Sequence, residues 1–242
     1  MLPATNAHAS AKIKMIDAII AAAGSSERFG EDKLFLSILG KPVVFYSIDS
    51  FENSSVDRII ITSRKDKIPY LQQLSSFWKG TYNWKKEIML CAGGGTRAES
   101  VLNALRISSG NIVSIHDGAR PLVTPELINR SIDDCLKYGS SVVVTSPNDA
   151  VKMRVRGNIE NIDRNSVYLA ETPQTFPRDK LIHAYEQFFS ENPGASPADD
   201  CEVFSKYYPV HFTKNSQMNL KLTIPSNLDS ILKLIEKYDA RI

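Results

Sequence analysis

Residues 16–33 read IDAIIAAAGSSERFGEDK, an apolar run that enters a loop of small residues and leaves it through two cations, Arg28 and Lys33. The run has the composition of a buried strand. The small residues Ala21, Ala22, Ala23, Gly24, Ser25 and Ser26 allow backbone N–H groups to approach an anion closely, as nests and helix N-termini do. Arg28 and Lys33 then supply the charge that a triphosphate needs on several sides. A tight strand-to-helix turn would also use AAAG, so the cations carry the inference. Neither G-x-x-x-x-G-K-[ST] nor G-x-G-x-x-G follows this run, which disfavours a Walker ATPase and a standard dinucleotide site.

Working outward, apolar and β-branched runs recur at 18–22, 58–62, 87–91, 112–116 and 141–145. Segments 42–51 and 96–107 between them carry apolar residues at helical spacing, so strand and helix alternate as far as Thr145. This pattern predicts an α/β, Rossmann-like, doubly wound and mostly parallel sheet, whose ligands bind at the carboxyl ends of the strands. The loops that matter are therefore AAAGSSERFG, CAGGGTRAES and HDGARP.

The rhythm breaks after Pro147. VKMRVRGNIENIDRN alternates apolar and polar residues about Gly157-Asn158 and predicts a protruding β-arm at about 147–170, with Val151, Val155, Ile159 and Ile162 on its apolar face. A lone hairpin is marginal in water, so it is expected to pack on something, a second subunit being a natural candidate and the edge of its own sheet the other. Helices are expected at 177–189, at 199–207 and from Pro225 onward, with strands at 210–213 and 220–223. Residues 1–15 read as a disordered tail and 16–242 as one domain.

The 242 residues are 43% hydrophobic and 23% charged, with 29 Lys and Arg against 27 Asp and Glu, a net charge of +2. No strong field draws nucleic acid or an acidic membrane surface, and partners must be argued from sites. Cys91, Cys135 and Cys201 are far apart and form no metal-ligand pattern, which suits reduced thiols in a cytoplasm. No apolar run approaches the roughly 20 residues of a membrane helix. The tail lacks a secretory apolar segment, although a short positive leader for organelle import is compatible with it.

Three further motifs carry chemistry. Gly93-Gly94-Gly95-Thr96-Arg97, with Ser100 beyond, follows a strand and opens a helix; its backbone can read a base edge, or serve as a flexible βα turn. In HDGARP, Asp117 lies at a strand end and is a candidate ligand for the magnesium ion that accompanies a nucleoside triphosphate. Arg120 pairs with it or braces the loop. His116 is ambiguous, His183 and His211 read as core or surface, and GxSxG is absent, so covalent catalysis is not expected.

Taken together, AAAGSSERFGEDK, GGGTRAESV, HDGARP, DRN at 163–165, TPQ at 172–174 and NLKLT at 219–223 resemble, in order and spacing, the 2-C-methyl-D-erythritol 4-phosphate cytidylyltransferase family. The resemblance implies a homodimer joined through the β-arm, with CTP, a polyol phosphate and Mg2+. It implies that Arg28, Lys33 and Lys221 are catalytic, neutralising the triphosphate and the transition state. The loop residues Ala22, Ala23, Gly24 and Ser25, with Gly93, Gly94, Gly95, Ser100 and Asp117, would bind the nucleotide. Arg164, Asp117, Arg120, Thr172 and Ala150 would lie on the polyol side, Arg164 reaching across from the partner's arm, with Thr172 and Gln174 as supports. Two departures stand out: Ala150 occupies a position where the family commonly has threonine, and Gly95 one where some members have an acid. D-ribitol 5-phosphate is accordingly carried as the alternative acceptor.

Overall fold

A computed structural model describes residues 14–24, 29, 30, 32–216 and 218–239. In chain order the strands and helices are β1 (Ile16–Ala22), β2 (Ser37–Ile38), β3 (Lys41–Pro42), α1 (Val43–Glu52), β4 (Arg58–Ser63), α2 (Ile68–Tyr82), β5 (Glu87–Ala92), α3 (Arg97–Ile107), β6 (Ile112–Asp117), α4 (Pro125–Tyr138), β7 (Ser141–Thr145), β8 (Val151–Val155), β9 (Asn158–Ile162), β10 (Leu169–Pro177), α5 (Arg178–Glu191), α6 (Asp200–Phe204), β11 (Phe212–Lys214) and α7 (Asn227–Asp239).

Seven strands form one sheet in the order β11-β7-β10-β6-β1-β4-β5. β10 runs antiparallel to both of its neighbours, and every other pairing is parallel. A parallel sheet is covered on both faces, which explains why its strands read as continuous apolar runs. On one face Ala18, Ile20, Ile59 and Ile61 pack with Val44, Ile48 and Phe51 of α1, Leu71 and Trp78 of α2, and Ile128 and Ile132 of α4. On the other, Ile19, Ile60, Val113 and Ile115 meet Val101 and Leu105 of α3, Leu181 and Tyr185 of α5, and Phe204 of α6. A smaller cluster joins Leu222 to Val43 and to Ile231 and Ile235 of α7. Each aliphatic side chain so buried contributes about 1.5–3 kcal/mol before entropy is set against it.

Local signals set the boundaries. Thr124 accepts a hydrogen bond from Leu127 N–H and Pro125 follows it, so α4 starts there; Gly139, at φ 89°, ends it in a left-handed turn. The arm's turn falls on Arg156 and Gly157, at φ 48° and 89°, one residue earlier than the sequence reading placed it. That register puts Val151, Val155 and Ile162 on one face and Ile159, paired with Arg154, on the other, so the expected apolar face holds three of its four residues. Residues 220–223 are not a strand; their segment is tied to the core by Leu222 N–H, which donates to Ala119 O at 2.8 Å. The strand expected at 210–213 lies at Phe212–Lys214.

β10 was not foreseen. Its buried Thr175 belongs to a hydroxyl ladder, Ser114–Thr175–Ser131–Ser141–Thr213, with oxygen separations of 2.7–3.1 Å, which satisfies polar groups inside the sheet. The register of β10 against β7 slips between Ala170 and Gln174, and this bulge carries Glu171 and Thr172.

Candidate active site

The strand order reverses between β1 and β6, and a cavity of about 660 Å³ opens at their carboxyl ends, where an open α/β sheet binds ligands. Ala21 stands opposite Asp117 in the register of the two strands. Ala23, Gly24, Lys33, Gly94, Gly95, Ser100, Asp117 and Lys221 all line the cavity, together with Arg97. Ser25 and Arg28 lie outside the described residues.

Each cation is presented by a buried neighbour. Lys33 sits in a turn closed by Phe35 N–H donating to Asp32 O at 3.0 Å, with Leu34 buried in the core and Asp32 held by Arg64 at 3.0 Å. Lys221 precedes the fully buried Leu222 and follows Asn219, whose Nδ2 donates to Thr172 O at 2.7 Å and to Glu171 Oε2 at 3.2 Å. Lys221 Nζ reaches Asp117 Oδ2 at 2.7 Å. Arg97, the first residue of α3, places Nε 3.0 Å from Asp117 Oδ1 and Nη2 2.9 Å from Asp200 Oδ2. Arg120 Nε is 3.9 Å from Asp117 Oδ2, while its Nη1 donates to Asn219 O at 2.7 Å. Arg120 therefore braces the Lys221 segment as well as facing Asp117.

Burial alone would raise the Asp117 carboxyl, but Arg97, Lys221 and Arg120 more than offset it and hold the group well below the usual carboxylate range. Among the described residues, the cavity wall sets three cations, Lys33, Arg97 and Lys221, against this one anion. The surplus is positive, as a polyphosphate requires.

The glycine loop works differently from its sequence reading. A β-carbon on Gly93 would collide with Ala23, and one on Gly94 with Glu99, so small residues here let the loop pack against the first loop and against α3. The amides are also engaged: Gly93 N–H donates to Ser63 O at 2.8 Å, Gly94 N–H to Ser100 Oγ at 3.0 Å and Gly95 N–H to Glu99 Oε2 at 2.7 Å. Ser100 in turn donates to Thr96 O at 2.8 Å. Reading a base through these N–H groups would require these bonds to exchange. Ala22 likewise donates its N–H to Thr62 Oγ1 at 3.2 Å, and neither Ala22 nor Gly93 lines the cavity.

Thr172 and His116 are supports. Arg120 O can only accept, so His116 Nε2–H donates to it at 3.2 Å, and in the neutral ring this leaves Nδ1 to accept from the Thr172 hydroxyl at 3.0 Å; Thr172 Oγ1 also accepts from Asp117 N–H at 3.1 Å. Burial keeps the imidazole neutral and pushes its pKa down to about 4, against the opposing pull of Asp117 and of the Arg120 carbonyl. A base whose folded pKa is depressed destabilises the fold as pH drops below its unfolded value, because only the unfolded chain then gains the proton. Between pH 6.5 and about 4 the unfolding free energy should fall by about 3 kcal/mol from this group. Denaturant titrations of the native chain and His116→Asn across that window check it; parallel pH curves for the two would contradict the assignment. Gln174 locks β10 to α6, Nε2 donating to Asp199 Oδ2 at 2.9 Å and Oε1 accepting from Cys201 N–H at 2.8 Å.

Besides Ala22 and Gly93, the expected residues Arg120, Thr172, Arg164 and Ala150 do not line the cavity; the first two touch Asp117 from behind, and the last two lie on the arm side. Arg164, in a short 3₁₀ turn after β9, donates from Nη1 to Asn148 O at 2.8 Å and is exposed, as is Ala150. Conversely, sequence reading assigned no role to Arg97. The available signal was a cation at the first position of a helix, where the dipole disfavours it unless an anion compensates.

A mostly parallel sheet with a cation-lined cleft at its switch point places the chain among α/β proteins that handle phosphorylated ligands. The profile of the family described as IspD, 2-C-methyl-D-erythritol 4-phosphate cytidylyltransferase, matches residues 16–236. Relatives bearing that enzyme name include one from Clostridium acetobutylicum, 35% identical over 227 residues, covering 91% of this chain and 97% of the relative. Another, from Lachnoclostridium phytofermentans, is 33% identical and covers 89% and 94%. Among solved structures, 4-diphosphocytidyl-2C-methyl-D-erythritol synthase from Anaerococcus prevotii superposes with a TM-score of 0.80 at 24% identity, covering 92% of this chain and 99% of that one. The Thermus thermophilus cytidylyltransferase gives 0.73 at 21%, covering 93% and 100%. The chain belongs to the 2-C-methyl-D-erythritol 4-phosphate cytidylyltransferase family.

Proposed function

We propose that this protein transfers CMP from CTP to 2-C-methyl-D-erythritol 4-phosphate, releasing pyrophosphate and forming 4-diphosphocytidyl-2-C-methyl-D-erythritol for non-mevalonate isoprenoid biosynthesis. The observation that carries the reading is the family match across 16–236, with Lys33, Arg97 and Lys221 in one cavity beside Asp117.

The nucleophile is a phosphate monoester with a second pKa near 6, so at neutral pH it is mostly a dianion and needs no general base. This accords with His116 being held neutral and turned away into the fold. One of its oxygens bonds to the α-phosphorus of CTP while the bond to the β-phosphate breaks and pyrophosphate leaves with the electron pair. The obstacle is repulsion between two anions, and fixed cations remove it. Lys33 and Lys221, with Arg28, neutralise the phosphoryl oxygens in this reading.

Magnesium is the expected companion of CTP. Among the described residues Asp117 is the single carboxylate lining the cavity, and no group of three His, Cys, Asp or Glu suited to a metal occurs among them. Such a donor set suits an ion carried by triphosphate oxygens with Asp117 as its protein ligand. When bound, the ion neutralises phosphate charge.

Arg164 and Ala150 reach a substrate in this scheme only across a homodimer, each arm serving the other copy's cavity. Among the described residues no helix is long and apolar enough to cross a membrane. Bacterial relatives and three free cysteines suit a cytoplasmic setting.

Incubating purified protein with CTP, magnesium and either polyol phosphate tests the acceptor. Pyrophosphate release with 2-C-methyl-D-erythritol 4-phosphate is expected; release with D-ribitol 5-phosphate alone would reject the proposal. The relatives' names favour the former.

A further inference from the structure

Asp200 is fully buried at the start of α6, behind the cavity wall and outside it. Its Oδ2 lies 2.9 Å from Arg97 Nη2, and its Oδ1 accepts a hydrogen bond from the fully buried Tyr185 hydroxyl at 2.5 Å. The Arg97 guanidinium thus spans two carboxylates, Asp200 behind the wall and Asp117 within it. Both sides of the pairing matter, because a guanidinium and a carboxylate left alone close into a two-pronged pair. With Asp200 drawing Nη2 away, Arg97 takes only Oδ1 of Asp117, and Oδ2 stays turned to Lys221.

We propose that Asp200 is a positioning residue for nucleotide binding: through Arg97 it holds Asp117 in a one-pronged contact that keeps one carboxylate oxygen in the cavity. The remaining charged groups around the pair fit this role. Asp199 is committed to capping α6 and to Gln174, and Arg120 faces the opposite oxygen of Asp117. Tyr185 sets the Asp200 carboxylate from the far side, so the relay runs from the core of α5 to the cavity. The inference rests on the reading of this cavity as the CTP site.

The test is a cycle of Asp200→Asn, Arg97→Ala and the double variant, with CTP binding by calorimetry in magnesium, steady-state kinetics for both substrates, and thermal unfolding. Asp200→Asn should raise both the Kd and the KM for CTP about tenfold, with kcat and the KM for the polyol phosphate changed less than about threefold. In the Arg97→Ala background the same substitution should add nothing. A purely structural Asp200 would lower the unfolding midpoint and leave CTP affinity intact, and wild-type affinity in Asp200→Asn, or full additivity in the cycle, overturns the proposal. Should Asp200→Asn not fold, Arg97→Lys replaces it, since one ammonium cannot span both carboxylates. It too should bind CTP about tenfold more weakly, and native affinity there overturns the proposal equally. If the native chain itself fails to bind CTP, the reading of the cavity fails and this inference falls with it.

Discussion

Lys33→Ala is expected to lower turnover by roughly two to four orders of magnitude without unfolding the protein. The turn that carries Lys33 is anchored by Leu34 and by the Asp32–Arg64 pair, none of which the substitution touches. What is lost is positive charge at a wall where two phosphates must meet. Near-native turnover would remove Lys33 from the chemistry. Arg28→Ala carries the same expectation from the sequence. The Lys33 variant also tests the arm: verified heterodimers of Lys33→Ala and Arg164→Ala chains should regain activity if arms cross, and no recovery would place Arg164 elsewhere.

Asp117→Asn is expected to cost about 3 kcal/mol of stability and at least a hundredfold in turnover. Removing the central carboxylate leaves Arg97, Lys221 and Arg120 facing one another, and breaking a buried pair from one side costs about 3–5 kcal/mol; partial exposure of Lys221 keeps the value near the lower end. Because the Asp117 carboxyl is depressed, its stabilising effect is present above the ordinary carboxylate pKa and is lost as pH falls through the lower folded value. The stability gap between native and variant should therefore hold constant above about pH 5 and shrink only in stronger acid. Added inorganic triphosphate should stabilise the variant by occupying the exposed cations. A native unfolding curve for the variant would contradict the whole charge arrangement.

The parallel strands were legible because β1, β4, β6 and β7 are buried along nearly their whole length and so read as largely apolar runs, while β5, the half-buried edge strand, still carries Ile88, Met89 and Leu90 in a row. β10 was not, since ETPQTFP has the composition of a turn; only the hydroxyl ladder, formed by residues distant in sequence, makes it a tolerable interior strand. Among site residues, Lys33 was legible as a charge in the loop after β1 and Asp117 as one at a strand end, whereas Lys221, expected within a strand at 220–223, stood out only through the family resemblance; the fold gathers all three. Arg97 and Asp200 were hidden by their positions. An acidic residue in the first turn of a helix reads as capping, and nothing local reveals that Asp200 faces an arginine 103 residues away. The glycine triplet misled in the other direction, because its smallness lets the loop pack against Ala23 of the first loop and against Glu99 of α3.

The arm leaves the sheet after β7 and returns at β10, and these two strands are hydrogen-bonded neighbours, with Leu169 opposite Thr145. Exit and re-entry are thus adjacent rungs of one ladder, and the excursion between them is a detachable appendage. Descent with modification could lengthen, shorten or re-aim it while every strand pairing beneath it survives. The same return strand leads straight into Glu171 and Thr172, so a tug on the appendage is transmitted along a single backbone to the segment bearing Lys221.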